Sequence, residues 1–375
     1  TYDANGNVLS EATGSSRGVQ YSYNAINALI SKTNFVNGNA MEQYSLSYYA
    51  NGNIKSVGKN GAETEYSYDR AGRLVRENGP DGQTVYSYDV FGNRAGMEQY
   101  STGGQMMAQS SYRYDKNNRL LDVLKTDVNG TAWQTQYAYD ANGNRTMKAQ
   151  SGTTPPPITG ESGVGAGETG SFVETYTYDL LGRMTGMRNA DPTASYTYDG
   201  NGLRQSKTVN GTTTRFVYDG QNIIKENDIY YSRGLSLISR KTGSQKEYYS
   251  QDYHGSVVRC GTREYDYDAF GNEKKENAYD ANPFRYCGEY TDLSSGLVYL
   301  RNRYYDPSIG RFISEDPIKD GANWYIYCNN NPINFIDALG LAPTVKEAAY
   351  MADHIYNHNT DSSYGDRQVK YDDGS

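Results

Sequence analysis

Apolar and polar positions alternate along this chain in short runs, and each run closes on a tyrosine, an aspartate and a turn. Alternation with a period of two marks a strand with one buried face. The clearest runs are YSYDRAGRL from Tyr66, YSYDVFGNR from Tyr86, YAYDANGNR from Tyr137 and YTYDLLGRM from Tyr176. Further copies are YRYDKNNRL from Tyr112, YTYDGNGLR from Tyr196, FVYDGQNII from Phe216 and YDYDAFGNE from Tyr265, with weaker ones at Tyr2, Tyr21 and Tyr48. Tyrosines two apart share one face of a strand. The aspartate caps a turn with its carboxylate, and the glycine three residues later takes the left-handed conformation that closes a hairpin. A return strand such as RLVREN or RTMKAQ follows. Most intervals between the central tyrosines are 20 to 26 residues, so each unit predicts one hairpin. A lone hairpin is marginal in water, and its neighbours must pair with it edge to edge. The expected fold is therefore all-β: tandem β-hairpins in one continuous sheet that spirals, since twist curls a sheet and curling covers its edges.

Two intervals depart from the period. Between Tyr139 and Tyr178 lies GTTPPPITGESGVGAGETG, a Pro/Gly-rich stretch over about residues 152–170 that predicts a surface loop, because the repeat resumes unchanged behind it. From Tyr218 to Tyr267 the segments IYYSRGLSLISRK and KEYYSQDYHGSVV still read as strands. The repeats span residues 1–264, a different segment occupies 265–341, and 342–375 changes character again. In that tail Val345, Ala348, Ala349, Met351, Ala352 and Ile355 have helical spacing, which predicts a short helical end.

Composition sharpens this picture. Mean hydropathy is -0.83, a value compatible with disorder, but the chain carries 39 tyrosines, whose rings bury area while their hydroxyls stay hydrogen-bonded. The net charge of -8 argues against a nucleic-acid partner, and no apolar run approaches the ~18 residues of a membrane span. The chain opens on TYDANGN, inside a repeat, and reads as a fragment, so a missing leader carries no weight. Cys260, Cys287 and Cys328 are an odd set without C-x-x-C spacing; reduced or inert thiols are expected, with no metal and no cofactor.

The Y-x-Y-D…G-N/R units resemble the Rhs/YD-repeat proteins, a group that includes bacterial polymorphic toxins, the C components of Tc toxin complexes and, more distantly, teneurins. Residues 265–341, with NPFRYCGEYTDLSSGLVYLRNRYYDPSIGRFISEDPI and NWYIYCNNNPINFIDALGL, resemble the Rhs repeat-associated core domain. The resemblance implies a hollow shell of hairpins around a toxic C-terminal polypeptide, plugged at one end by the core segment. Residues 342–375 would then begin a truncated variable payload. It further implies a secreted or bacterial cell-surface protein used in competition between bacteria. Its partners would be its own C-terminal toxin segment, an immunity protein and secretion machinery.

The resemblance also implies one act of chemistry, single-turnover autoproteolysis in the manner of an aspartic protease. Asp316 in SEDPI and Asp337 in DALGL match the family's two aspartates, Arg303 in RNRYYDPSIGR matches the arginine beside them, and the cut bond is Leu341–Ala342. The chemistry is coherent: of two carboxyls held close, one keeps its proton and polarises the carbonyl while the other activates water. Against this stands a plainer reading in which Asp316 and Asp337 cap turns as Asp69 and Asp89 do. The family has proline where this chain has Ala338, which frees the backbone beside Asp337 and is expected to blunt cleavage. The competing function class is a repetitive cell-wall or glycan-binding adhesion surface without cleavage. A total of 2 tryptophans, and a distinct segment ending the array, weigh against it. His254 in YHGSV follows the period of a turn and reads as structural. His354 and His358 lack the glutamate of H-E-x-x-H and read as surface residues. Cys287 and Cys328 read as packing thiols, since no histidine within 265–341 is placed to activate them.

Overall fold

The structure is a computed structural model that describes residues 1–152, 172–189, 192–274, 280–341 and 343–345. Among the described residues, 24 strands from Ser10–Thr13 to Arg263–Glu264 form one antiparallel sheet. Each strand pairs with the next in the chain. The predicted loop at 152–170 lies outside the described residues except Gly152, which ends a strand. The strands flanking it, Arg145–Gly152 and Phe172–Tyr178, pair directly, with Met147 opposite Thr175. The long interval after Tyr218 holds strands, as its pattern predicts.

One unit shows how the repeat closes. Asp69 Oδ1 accepts the amides of Ala71 and Arg73 at 2.9 and 3.0 Å, while the Gly72 amide donates to the Asp69 carbonyl. Gly72 has φ +81°; where the glycine is missing, Asn118 (φ +63°) stands in its place, asparagine being the side chain that best tolerates this region.

The two tyrosines of a unit have different work. The first, as at Tyr66, Tyr86, Tyr176 and Tyr196, is buried in the interior. At the second, the pairing shifts by a β-bulge, for example between Ser67 and Tyr68 and between Thr197 and Tyr198. Its hydroxyl reaches back to the preceding hairpin and donates to the carbonyl at the head of that return strand. Tyr68 reaches Ile54, Tyr88 Leu74, Tyr198 Met184 and Tyr218 Arg204, all at 2.7–2.9 Å. The ladder between these hairpins stops short of that point, ending for Ile54 at the Ser56–Glu65 pair. The tyrosine thus satisfies a carbonyl that the ladder leaves behind, which phenylalanine could not do.

Successive hairpins wrap around residues 265–341. Tyr44, Ile54 and Leu74 of the early units pack with Phe270 and Ile333. Tyr176, Met184 and Tyr196 pack with Tyr299, Tyr304 and Ile313, and Phe216, Tyr231 and Tyr249 with Phe284 and Tyr290. The interior that the resemblance implies to be hollow is, over these repeats, filled by this segment. The segment has its own four-stranded sheet, Tyr290–Asp292, Leu297–Leu300, Arg303–Asp306 and Arg311–Phe312, with Tyr305 stacked on Tyr327 at 4.1 Å.

The head of the return strand is among the most deeply buried positions of several units. It is aliphatic at Leu74, Leu120 and Met184 but arginine at Arg94, Arg145 and Arg204, all essentially sealed from solvent. Two of these arginines find carboxylates on the core segment. Arg145 meets Asp306 at 2.7 Å, and Arg204 meets Asp292, which also binds Lys207 at 3.1 Å.

The spiral brings its late strands against its early ones through side chains. Arg259 pairs with Glu42 at 2.6 Å, Asn34 donates to the Gln251 carbonyl at 2.9 Å, and just past the last strand Asp266 pairs with Lys59 at 3.0 Å. Among the described residues no backbone ladder joins these two parts. At the other end of the chain, Thr344–Val345 pairs as a short strand with Phe335–Ile336. Val345 therefore starts no helix, contrary to the spacing-based prediction: a two-residue bridge to the core takes it first. The rest of the predicted helical tail, with His354 and His358, lies outside the described residues.

Candidate active site at the end of the core segment

Arg303 opens the strand Arg303–Asp306, and its guanidinium lies 3.6 Å over the Phe312 ring of the neighbouring strand. That ring screens one face of the cation, so its donors point to polar groups at the edges. Nη2 stands 3.5 Å from Asp316 Oδ2 and 3.6 Å from Asp337 Oδ2. Nη1 donates to the Trp324 carbonyl at 2.8 Å and Nε to the Gly340 carbonyl. Asp316 also caps a turn, its Oδ1 accepting the Ile318 amide at 2.9 Å. Asp337 Oδ1 accepts the Leu341 amide at 3.0 Å. Turn capping and a shared site are thus both true of these aspartates. The three side chains expected from the sequence meet, and all are buried. Leu341 is half-buried; Ala342, the other side of the expected bond, lies outside the described residues.

Two acids and one cation in a dry place favour keeping one carboxyl neutral. Burial raises the Asp337 pKa and Asp316 adds to the rise, against the pull of Arg303 and the amides of Leu341 and Gly340. Burial likewise lowers the Arg303 pKa, opposed by both aspartates. The arrangement differs from two carboxyls sharing a proton directly, since a guanidinium sits between them.

The backbone leading to Leu341 is tightly held. Arg301 Nη1 donates to the Ala338 carbonyl at 2.8 Å and Asn302 Nδ2 to the Leu339 carbonyl at 2.9 Å. Gly340 has φ +66°, and a Cβ there would stand 2.9 Å from the Leu300 carbonyl oxygen. Arg301, Asn302 and Phe312 were not singled out by sequence reasoning. For Arg301 and Asn302 the one signal was adjacency, RNR running directly into the strand that carries Arg303.

A second cluster brings a repeat histidine to a cysteine of the core segment. His254, from a repeat turn outside 265–341, places Nδ1 3.4 Å from Cys287 Sγ, and the Tyr327 hydroxyl lies 3.7 Å from the same sulfur. Cys287 therefore does have a histidine neighbour. Burial nevertheless pushes its thiol well above the ordinary range, so the sulfur stays protonated and packs. Cys260, Cys287 and Cys328 are all free thiols. Among the described residues, no group of three or more His, Cys, Asp or Glu side chains is arranged to hold a metal ion.

The profile of the RHS repeat matches residues 48–84, 68–105 and 111–154, the same hairpins that carry the tyrosine and aspartate pattern. The chain belongs to the RHS-repeat family. This RHS chain is 33% identical over 371 residues to the tRNA3(Ser)-specific nuclease WapA of Bacillus spizizenii, covering 90% of the chain and 14% of that relative. It is 27% identical over 338 residues to the double-stranded DNA deaminase toxin A of Burkholderia cenocepacia, covering 74% of the chain and 21% of the relative. The RHS chain thus spans about one seventh of the first relative's length and about one fifth of the second's. Among solved structures, the TcdB2-TccC3-Cdc42 crystal structure aligns with 91% of the chain and 23% of its own at a TM-score of 0.41 and 18% identity.

Proposed function

We propose that this chain is the closing section of an RHS shell, which encloses a toxin polypeptide continuing beyond Leu341 and frees it by one aspartate-dependent cut of Leu341–Ala342. The observation that carries the reading is Asp337. It contacts Arg303 with one oxygen and holds the amide of Leu341 with the other. Two relatives are named for toxic or nuclease activities, which supports a toxin role for the longer protein.

In the proposed reaction Asp337, kept toward its neutral form by burial, donates to the Leu341 carbonyl oxygen, and Asp316 takes a proton from water. The hydroxide portion bonds to the Leu341 carbonyl carbon. The C–N bond to Ala342 breaks, and the proton passes to the departing amine. Arg303 offsets the charge that develops between the two acids. The partners are the chain's own C-terminal segment, an immunity protein and secretion machinery, and the protein acts as a secreted or cell-surface component.

The test is intact-mass analysis of the chain after folding. Two fragments, ending at Leu341 and beginning at Ala342, are expected from the wild type and not from Asp337→Asn or Asp316→Asn. The rate should fall as pH rises through the elevated Asp337 pKa. A folded wild type that stays whole from mildly acidic to mildly alkaline pH refutes the cut. Polysaccharide binding by such a whole chain would favour the adhesion-surface reading.

A further inference from the structure

Arg301 and Asn302 form the two-residue turn between strands Leu297–Leu300 and Arg303–Asp306, with Leu300 paired to Arg303. Turns of this length favour glycine, asparagine or aspartate wherever φ is positive. Arg301 sits at φ +60°. A long side chain is unfavourable there relative to glycine, so its presence calls for an explanation in what the side chain does.

The guanidinium of Arg301 binds three separate parts of the molecule. It pairs with Glu289 of the core segment, donates through Nε to the Gln221 carbonyl of a repeat turn at 3.3 Å, and donates through Nη1 to the Ala338 carbonyl at 2.8 Å. Asn302 follows, with both its amide and its Nδ2 directed at the Leu339 carbonyl, at 3.3 and 2.9 Å. Arg303 takes the Gly340 carbonyl. Three consecutive side chains therefore hold three consecutive carbonyls, and the next group along the chain is the Leu341 amide on Asp337. A slip of one residue would break every one of these bonds together, which fixes the register of the loop.

Building on the self-cleavage reading above, we infer that Arg301 and Asn302 are positioning residues, a carbonyl clamp that determines which peptide bond is brought to Asp337. They touch neither the Leu341 carbonyl nor the Ala342 nitrogen and act through the backbone of residues 338–340. The clamp also restrains the backbone at Ala338, directly beside Asp337. Its anchor on Gln221 ties the loop to the surrounding sheet.

The test compares wild type, Arg301→Gly and Asn302→Ala in the full chain, refolded from denaturant and followed by time-resolved intact mass. Arg301→Gly is informative because glycine suits the turn while deleting the side chain. Combining it with Glu289→Gln removes the carboxylate left without its partner and separates folding from positioning. Each variant should slow the Leu341–Ala342 cut roughly 10- to 100-fold, the scale of a misplaced reacting group, and add cuts at adjacent bonds. The pH at which the rate falls should not move, because Asp337 is untouched, and Arg301→Lys should recover part of the rate. Variants that cut at the wild-type rate and at one bond overturn the clamp alone. A folded wild type that never cuts overturns the cleavage reading and removes the positioning role with it.

Discussion

Replacing Asp306 with asparagine should loosen the grip of the sheet on its filling, by an amount that can be worked out in advance. Asp306 closes a buried ion pair with Arg145 at 2.7 Å, and both side chains are almost wholly inaccessible. Burial opposes ionisation of Asp306, but Lys148, Arg145 and the Ser308 hydroxyl together outweigh it and bring the pKa down to about 2 from 3.8. A drop of that size corresponds to roughly 2 kcal/mol of stability at neutral pH. Because the folded value is the lower one, this contribution is complete above the ordinary carboxylate value and disappears as pH falls from near 4 towards 2. Asp306→Asn does more than titrate the group, since it leaves the Arg145 guanidinium buried without its counter-charge. Breaking one partner of such a pair typically costs about 3–5 kcal/mol. Urea unfolding at neutral pH, followed by tyrosine fluorescence, should register a loss in that range. Repeated at falling pH, the gap between wild type and variant should shrink through the window from near 4 to near 2. A variant that loses under about 1 kcal/mol at neutral pH, or a gap indifferent to acid, would refute this account of the pair.

Three further outcomes follow from the geometry. Tyr88→Phe or Tyr218→Phe removes a hydroxyl that meets a carbonyl of the preceding hairpin and should lower stability by about 1 kcal/mol each, measurable as a shift in thermal midpoint. Gly340→Ala forces a Cβ against the Leu300 carbonyl at a positive φ, so it should displace the loop before Leu341; hydrogen exchange at the Leu341 amide would rise, and unchanged protection would contradict the prediction. Cys287, despite its neighbour His254, should resist alkylation in the folded chain at mildly alkaline pH and react once unfolded; rapid native labelling would show a thiolate that burial should forbid.

What could be read from the sequence was what is local. The Asp69-to-Gly72 turn, the strand alternation and the assembly of neighbouring hairpins each depend on residues within one or two units, and all appear in the structure. The reach of Tyr88 back to Leu74 was not foreseen, because it requires a bulge that a simple two-residue period does not contain. The burial of Arg145 and Arg204 had no local signal; their partners Asp306 and Asp292, 161 and 88 residues away, account for arginine at a sealed position. The site divides in the same way. Arg303, Asp316 and Asp337 came from family likeness, whereas Arg301 and Asn302 work through backbone carbonyls, whose acceptor has no sequence signature. Val345 misled because helical spacing says nothing of a strand edge waiting at Phe335–Ile336.

The side-chain contacts between early and late strands give the molecule a line of weakness. Between consecutive described strands of the sheet, parting two neighbours means breaking a row of backbone hydrogen bonds. Along this line it means parting side chains, among them Arg259 from Glu42 and Lys59 from Asp266, with the bonds from Asn34 to Gln251 and from Lys32 to Asp252. Partly exposed ion pairs such as Lys59–Asp266 weaken with salt, and amide ladders do not. If the coil is to gape without unfolding, it does so here, as a cuff opens at its fastening, with every hairpin still paired to the next.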